Sequence, residues 1–265
     1  MKNKLDINFI NEVNKDLGTI VSHYWYVNCK NLMSSSNYLL LPMNHVDLII
    51  NMGDEFKYNN ITQPSPIHFH GLRQAAITVT NPVQLNALGI SFTEWGFYFL
   101  INQDMSKFIN KIVDLSQVNN SLTQCIKHAI ASTISIKEII DSIEECLKFN
   151  VNINQEQLNE ISIIKDFINT HLSKRQYCTK AKITTKRLER LFNKYIGISP
   201  VQYKKLLKFE NTARDLDYQN NNLTEIAYNN DYYDQPHFTK IFRKYTHFTP
   251  SEFQKSKPAL KSHFK

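Results

Sequence analysis

LERLFNKYIGISPVQY (188–203) and FTKIFRKYTHFTPSEF (238–253) align without a gap, each residue of the second lying fifty positions after its counterpart. Leu188 matches Phe238, Arg190 matches Lys240, Phe192 matches Phe242, Tyr195 matches Tyr245, and Pro200 matches Pro250. An ungapped internal copy marks one structural unit used twice. Within 185–195, Leu188, Leu191, Phe192 and Tyr195 fall at i, i+3, i+4 and i+7, the spacing of one helix face. Burying that face turns Lys186, Glu189, Arg190 and Asn193 outward. In the copy, Phe238, Ile241, Phe242 and Tyr245 turn inward, leaving Gln235, Thr239, Lys240 and Arg243 outside. Aromatic residues hold each helix to a small domain, and the polar residues between them are presented to a partner.

The flanking residues extend the unit. Ser173 reads as the N-cap of a short helix through Ala181, Thr184 caps the next through Tyr195, and Pro200 opens a longer one, PVQYKKLLKFENTARDL. Thr224 is expected to cap EIAYNN, and Asp234 to cap the helix of the second copy. Upstream, LNEISIIKDFINTHL (158–172) reads as a first helix. The long helix would span about 25 Å at 1.5 Å per residue. That spacing suits two outward faces directed at neighbouring major-groove segments, roughly 34 Å apart.

Arg, Lys, Gln and Asn carry the donors and acceptors that match base edges, and the major groove admits one helix. Helix N-termini offer N–H groups to phosphates, which marks Thr184 and Thr224 as phosphate contacts. Lys194 and Lys244 are expected at the backbone as well. Charge agrees with a polyanionic partner. Residues 1–154 carry 11 Lys+Arg against 13 Asp+Glu, a balance of −2, whereas residues 155–265 carry 20 against 11, a balance of +9. Basic character belongs to the half that holds the repeat. The base-stacking sheet motifs of RNA-binding modules are missing from it.

The first half differs. From 19 to 93, runs such as GTIVSHYWYV and AAITVTNPVQLNALGISF read as strands broken by Asn, Pro and Gly turns. Strands so spaced favour a small barrel or sandwich. Residues 102–113 suit a short helix, and 121–149 carry helical stripes that either pack on their own domain or pair with a second copy. NVNINQEQ (150–157) reads as a linker. The expected division is a β-rich domain over 1–120, a helical segment and linker over 121–157, and an all-helical domain over 158–265.

Trp25, Phe92 and Trp95, with His45 and His68, are candidates to line an effector pocket in the first half. His45, Asp47, His68 and His70 could also supply metal ligands to a metal-dependent enzyme or small-molecule-binding protein with an accessory nucleic-acid domain. Gln74, however, stands where a cupin-type metal motif wants Glu, so neither metal nor cofactor is expected. Cys29, Cys125, Cys146 and Cys178 form no CxxC pair and read as ordinary thiols of a reducing compartment. The first eighteen residues lack the apolar stretch of a signal peptide, and the apolar runs are too short to span a membrane. A cytoplasmic protein is expected.

At these residues the chain resembles the AraC/XylS family of bacterial transcription regulators. ITTKRLERLFNKYIGISPVQY, LLKFENTARDL and LTEIAYNNDYYDQPHFTKIFRKYTHFTPSEF carry the resemblance over about 158–254. It implies two helix-turn-helix units joined by a long helix, with recognition helices at 185–195 and 235–245. Base contacts are then implied for Lys186, Glu189, Arg190 and Asn193, and for Gln235, Pro236, Thr239, Lys240 and Arg243. LLLPMNHVDLIINMG and LGISFTEWGFYFLI look like the sensor-type domain found ahead of such halves. That likeness implies an α+β chain whose N-terminal part is a cupin-like barrel with helices. Double-stranded DNA, RNA polymerase, a small-molecule or protein effector and a second copy of the chain are the implied partners, and activation is the usual role. The family often has Gly where this chain has Lys182, Asp231 and, nearby, His247. Lys174 also stands where an apolar residue is usual.

Overall fold

β-branched and aromatic residues alternate with turn residues through most of the first half, and strands form there. The computed structural model describes residues 7–30, 37–80, 83–132, 135–218 and 222–256, so the outer ends of the expected first and last domains, 1–6 and 257–265, lie outside the described residues. Among them, β1 (Asn8–Ile10), β2 (Val21–Lys30), β4 (Asp47–Asn51), β7 (Ile67–His70), β9 (Gln84–Phe92) and β10 (Ile112–Asp114) make one sheet in the order β1-β2-β9-β4-β7-β10. A second sheet takes β3 (Asn37–Leu40), β5 (Lys57–Tyr58), β6 (Ile61–Thr62) and β8 (Ile77–Thr80), in the order β3-β8-β5-β6. Every pairing is antiparallel.

The expected cupin-like barrel does not form. Each sheet is an open row, and no strand of one pairs with a strand of the other among the described residues. The reason lies in the burial of the central strands. One face of the larger sheet puts Leu48, Ile50, Phe69, Ile90 and Phe92 against the helical core, and the other puts Val27, Ile49, Leu85 and Ala87 against Tyr58 and Val79 of the small sheet. A sheet apolar on both faces needs a cover on each side. Here the small sheet supplies one cover and helices the other.

The short helix expected at 102–113 is also replaced. After α1 (Tyr98–Ile101), Asn102 takes φ 48° and Asn110 φ 59°, left-handed conformations that interrupt a helix. Between them lies one 3-10 turn, Met105–Phe108, and the chain then joins the large sheet as β10. The stripes at 121–149 become two helices, α2 (Asn120–Ser132) and α3 (Ile136–Asn150). Cys125 and Cys146 form a disulfide across this pair, contrary to the expectation of free thiols. Nothing in the spacing revealed it, because helix packing brings the two together. Glu144 of α3 accepts from the Tyr24 hydroxyl at 3.0 Å and the Asn14 amide at 2.9 Å, tying the pair to the sheet.

The remaining elements are helical: α4 (Gln155–Asn169), α5 (Lys174–Lys180), α6 (Thr185–Tyr195), α7 (Pro200–Tyr218), α8 (Leu223–Asn229), α9 (Gln235–Thr246) and α10 (Pro250–Ser256). The linker shrinks to a few residues because Asn154 and Gln157 close a capping box at the start of α4. Ser173, Thr184 and Asp234 cap as expected. Thr224 does not. Asn222 is the cap of α8, its side chain accepting from the Thr224 amide at 2.6 Å.

The two halves touch. Tyr195 of α6 packs edge-on to Tyr98 with ring centroids 4.6 Å apart, and the Ala76 amide donates to the Tyr245 carbonyl at 2.7 Å. Gly197, at φ 102°, lies so close to Met105 that an added Cβ would sit 2.8 Å from its carbonyl oxygen. No helix among the described residues is long and apolar enough to cross a membrane.

Candidate nucleic-acid interface and a pocket behind it

α5 with α6 and α8 with α9 form two helix-turn-helix pairs bracketed by α7. Leu188, Leu191, Phe192 and Tyr195 of α6 are buried, as are Phe238, Phe242 and Tyr245 of α9, with Ile241 half-buried. Lys186, Arg190, Asn193, Gln235, Pro236, Lys240 and Arg243 are exposed, while Glu189 and Thr239 are half-exposed. On α9, Gln235, Pro236, Thr239, Lys240, Arg243 and Lys244 line one open groove with His247. His247 belongs to this surface and escaped the periodicity argument, because it lies just past the helix, at φ 66°.

Two side chains have other engagements. Glu189 accepts from Lys174 Nζ at 2.6 Å. Lys174, unusual by its polarity, is thereby accounted for. Lys194 donates to Glu160 of α4 at 2.7 Å, beside the Tyr195 hydroxyl, which donates to the same oxygen at 2.6 Å. Burial raises the Glu160 pKa, and the Lys194 and Tyr195 hydrogen bonds outweigh that and lower it. Lys194 Nζ also lies 5.4 Å from the centroid of the Tyr98 ring, on the side of the N-terminal half. Thr184, Thr224 and Lys244 are exposed.

The turns that lack glycine are left-handed nonetheless: Lys182 at φ 53° and Asp231 at φ 55°. Such a conformation costs about 1–2 kcal/mol for an L residue other than Gly. α7 braces the second of these turns, since Lys208 donates to the Asp231 carbonyl at 2.5 Å and lies over the Tyr232 ring. In the first unit, Lys204 bonds the carbonyls of Thr170 and Leu172.

Residues 177–256 match the model of a helix-turn-helix domain family, and residues 14–114 match that of a domain of unknown function, DUF6597. The matched helix-turn-helix region covers both copies of the repeat. The transcriptional regulator GbdR of Pseudomonas aeruginosa is 26% identical over 113 residues, 42% of this chain and 31% of GbdR. The chain thus spans under a third of that curated relative's length. Among solved structures, ToxT of Vibrio cholerae aligns at a TM-score of 0.45 with 11% identity, covering 96% of this chain and 98% of ToxT. The AraC-like transcriptional activator CuxR aligns at 0.24 with 16% identity, covering 77% and 85%.

In the N-terminal half, a cavity of about 280 Å³ opens between the two sheets and reaches α7. Trp25 and His45 line it, with Asp47, Arg73, Glu210 and Arg214. The Trp25 ring lies against Gly89, where any Cβ would overlap it at 1.8 Å. His68, Phe92 and Trp95 are elsewhere. Phe92 is in the core, and the Trp95 indole N–H donates to the Thr19 carbonyl at 3.0 Å. His68 is held between the Tyr58 hydroxyl at 2.9 Å and the Ser65 carbonyl at 2.7 Å. Asp47 and His70, named from the sequence only as possible metal ligands, also line it, and the remaining pocket residues escaped sequence reading because they come from positions as distant as Ile7 and Arg214.

Asp47 accepts from Ser91 at 2.6 Å and lies 3.4 Å from His45. Burial alone would lower the His45 pKa, but Asp47 outweighs it and raises it. Burial raises the Glu210 carboxyl and lowers the Arg73 guanidinium. Arg73 donates to His70 Nδ1 at 2.7 Å and to the Leu41 carbonyl at 3.0 Å. Among the described residues no group of three or more His, Cys, Asp or Glu is placed to hold a metal.

Proposed function

We propose that this protein regulates transcription by binding duplex DNA sequence-specifically through α6 and α9, in the bacterial cytoplasm. The observation that carries the reading is the outward face of α9. Its donors and acceptors share one open groove while the aromatic side chains between them are buried. Arg190, Asn193, Lys186, Gln235, Thr239, Lys240 and Arg243 read base edges, Pro236 gives apolar contact, and Thr184, Thr224 and Lys244 meet phosphates. Glu189 and Lys194 reach DNA only on leaving their ion pairs. The cavity behind α7 takes an effector, and activation proceeds by recruiting RNA polymerase. Residues 1–120 and 158–265 are the working division, with 121–157 between them offering a face to a second copy.

Band-shift titrations with duplex, single-stranded and RNA probes test the first claim. Duplex must be preferred. Arg190→Ala and Lys240→Ala should each weaken the preferred site by about 1–3 kcal/mol and relax specificity there. Lys244→Ala should weaken all sequences and flatten the salt dependence. Unchanged discrimination in both of the first two variants would refute the assignment of these faces.

A further inference from the structure

The cavity has two chemical ends. Val27, Ile49, Phe56, Val79 and Leu85 make one apolar, between the sheets. His45, Asp47 and Arg73 make the other polar, together with Glu210 and Arg214 of the helix joining the two DNA-binding units. The polar end has unspent hydrogen-bonding capacity. Glu210 Oε2, Arg73 Nε and Arg214 Nε have no partner among the described residues, and Glu210 and Arg73 are each only 6% exposed. A buried polar atom left unpaired loses its hydration without compensation, so these atoms favour an occupant that pairs with them.

We propose that this pocket binds a zwitterionic α-amino acid with a compact apolar side chain, its ammonium on Glu210 and its carboxylate on the Arg73 and Arg214 guanidiniums. The side chain would lie beside Trp25 and Phe56. Other heads fit less well. A lone carboxylate leaves Glu210 unpaired and adds an anion near Asp47. A lone amine meets two guanidiniums. A polyol makes no use of the apolar end. The cavity is near the lower limit of small-molecule sites, roughly 300–1,000 Å³, which suits a side chain the size of leucine or phenylalanine. Bound there, the amino acid would join the N-terminal half to α7, so this inference rests on reading the cavity as the effector site.

Isothermal calorimetry on the full chain tests it, with L-phenylalanine and L-leucine against 3-phenylpropanoate, phenethylamine and N-acetyl-L-phenylalanine. At least one zwitterion should bind ten-fold or more tighter than every analogue lacking one charge. Glu210→Gln should erase its advantage over 3-phenylpropanoate, and Arg214→Gln its advantage over phenethylamine. Equal binding of the wild type to 3-phenylpropanoate, or no heat from either amino acid up to about 10 mM, an affinity too weak to matter, overturns the proposal without any variant. Band shifts with and without the ligand separate the two readings. A zwitterion that binds yet leaves DNA retention unchanged sinks the effector reading and keeps the ligand assignment. Failure of every ligand leaves DNA binding by α6 and α9 standing.

Discussion

His68 shows how one buried side chain ties the small sheet to pH. It is fully buried between Tyr58 and Ser65, and burial pushes its pKa down to about 4. With Nδ1 donating to the Ser65 carbonyl, Nε2 accepts from the Tyr58 hydroxyl, so the neutral ring satisfies both neighbours. The unfolded chain protonates this imidazole near pH 6.5 while the folded one resists until about pH 4, so stability falls as pH drops through that interval. The full effect is about 3 kcal/mol at 1.36 kcal/mol per pH unit. His45 works in the opposite direction and elsewhere. Its pKa is raised, so its contribution is fully present below pH 6.5 and lost only above it. Glu210, raised by burial, favours the fold as pH falls toward 4.5. The His68 share is therefore read as a difference. Urea unfolding of wild type and His68→Asn at pH 7 and pH 4.5 should show the wild type losing more stability. Parallel losses would mean that His68 is already charged in the folded protein.

At the scale of elements, the α2–α3 pair is the one whose bond carries a number. Cys125 and Cys146 are 21 residues apart, and closing a loop of that length in the unfolded chain corresponds to about 3 kcal/mol in the chain-entropy account. Thiol titration under denaturing, non-reducing conditions should find two free cysteines, Cys29 and Cys178, and Cys125→Ser should lower unfolding stability by about that amount. Four titratable thiols with unchanged stability would mean the bond does not form. Elements differ in how far the sequence discloses them. α6 and α9 were legible because their buried residues recur at helical spacing within eleven or twelve positions. The 3-10 turn after α1 was not, since two left-handed asparagines outweigh an apolar pattern that reads as helix. The same limit hid the disulfide and the open sheets. Each depends on what packs against a segment, and a linear pattern does not state it.

Across the whole molecule, the contact between the halves decides whether α6 and α9 move freely. Tyr98 is its centre on the N-terminal side. Its ring meets Tyr195 edge-on, Lys194 Nζ lies 5.4 Å from its centroid, and Lys194 is held in place by Glu160. Aromatic pairs of this geometry contribute about 0.5–1.5 kcal/mol beyond the area they bury. Truncating a buried ring costs about 3–5 kcal/mol in all. Tyr98→Ala leaves every residue of the helix-turn-helix half unchanged, so its effect on that half comes through the contact. In scanning calorimetry, the wild type should unfold in one transition and Tyr98→Ala in two, the lower belonging to the N-terminal half. If the contact restrains the helix-turn-helix units, the variant should also bind duplex DNA more tightly, because docking no longer competes with the double helix for the orientation of α6. Two transitions with unchanged affinity would show that the halves are coupled in stability alone. A single transition shifted downward would show that the sheets, and not this contact, hold the first half to the second.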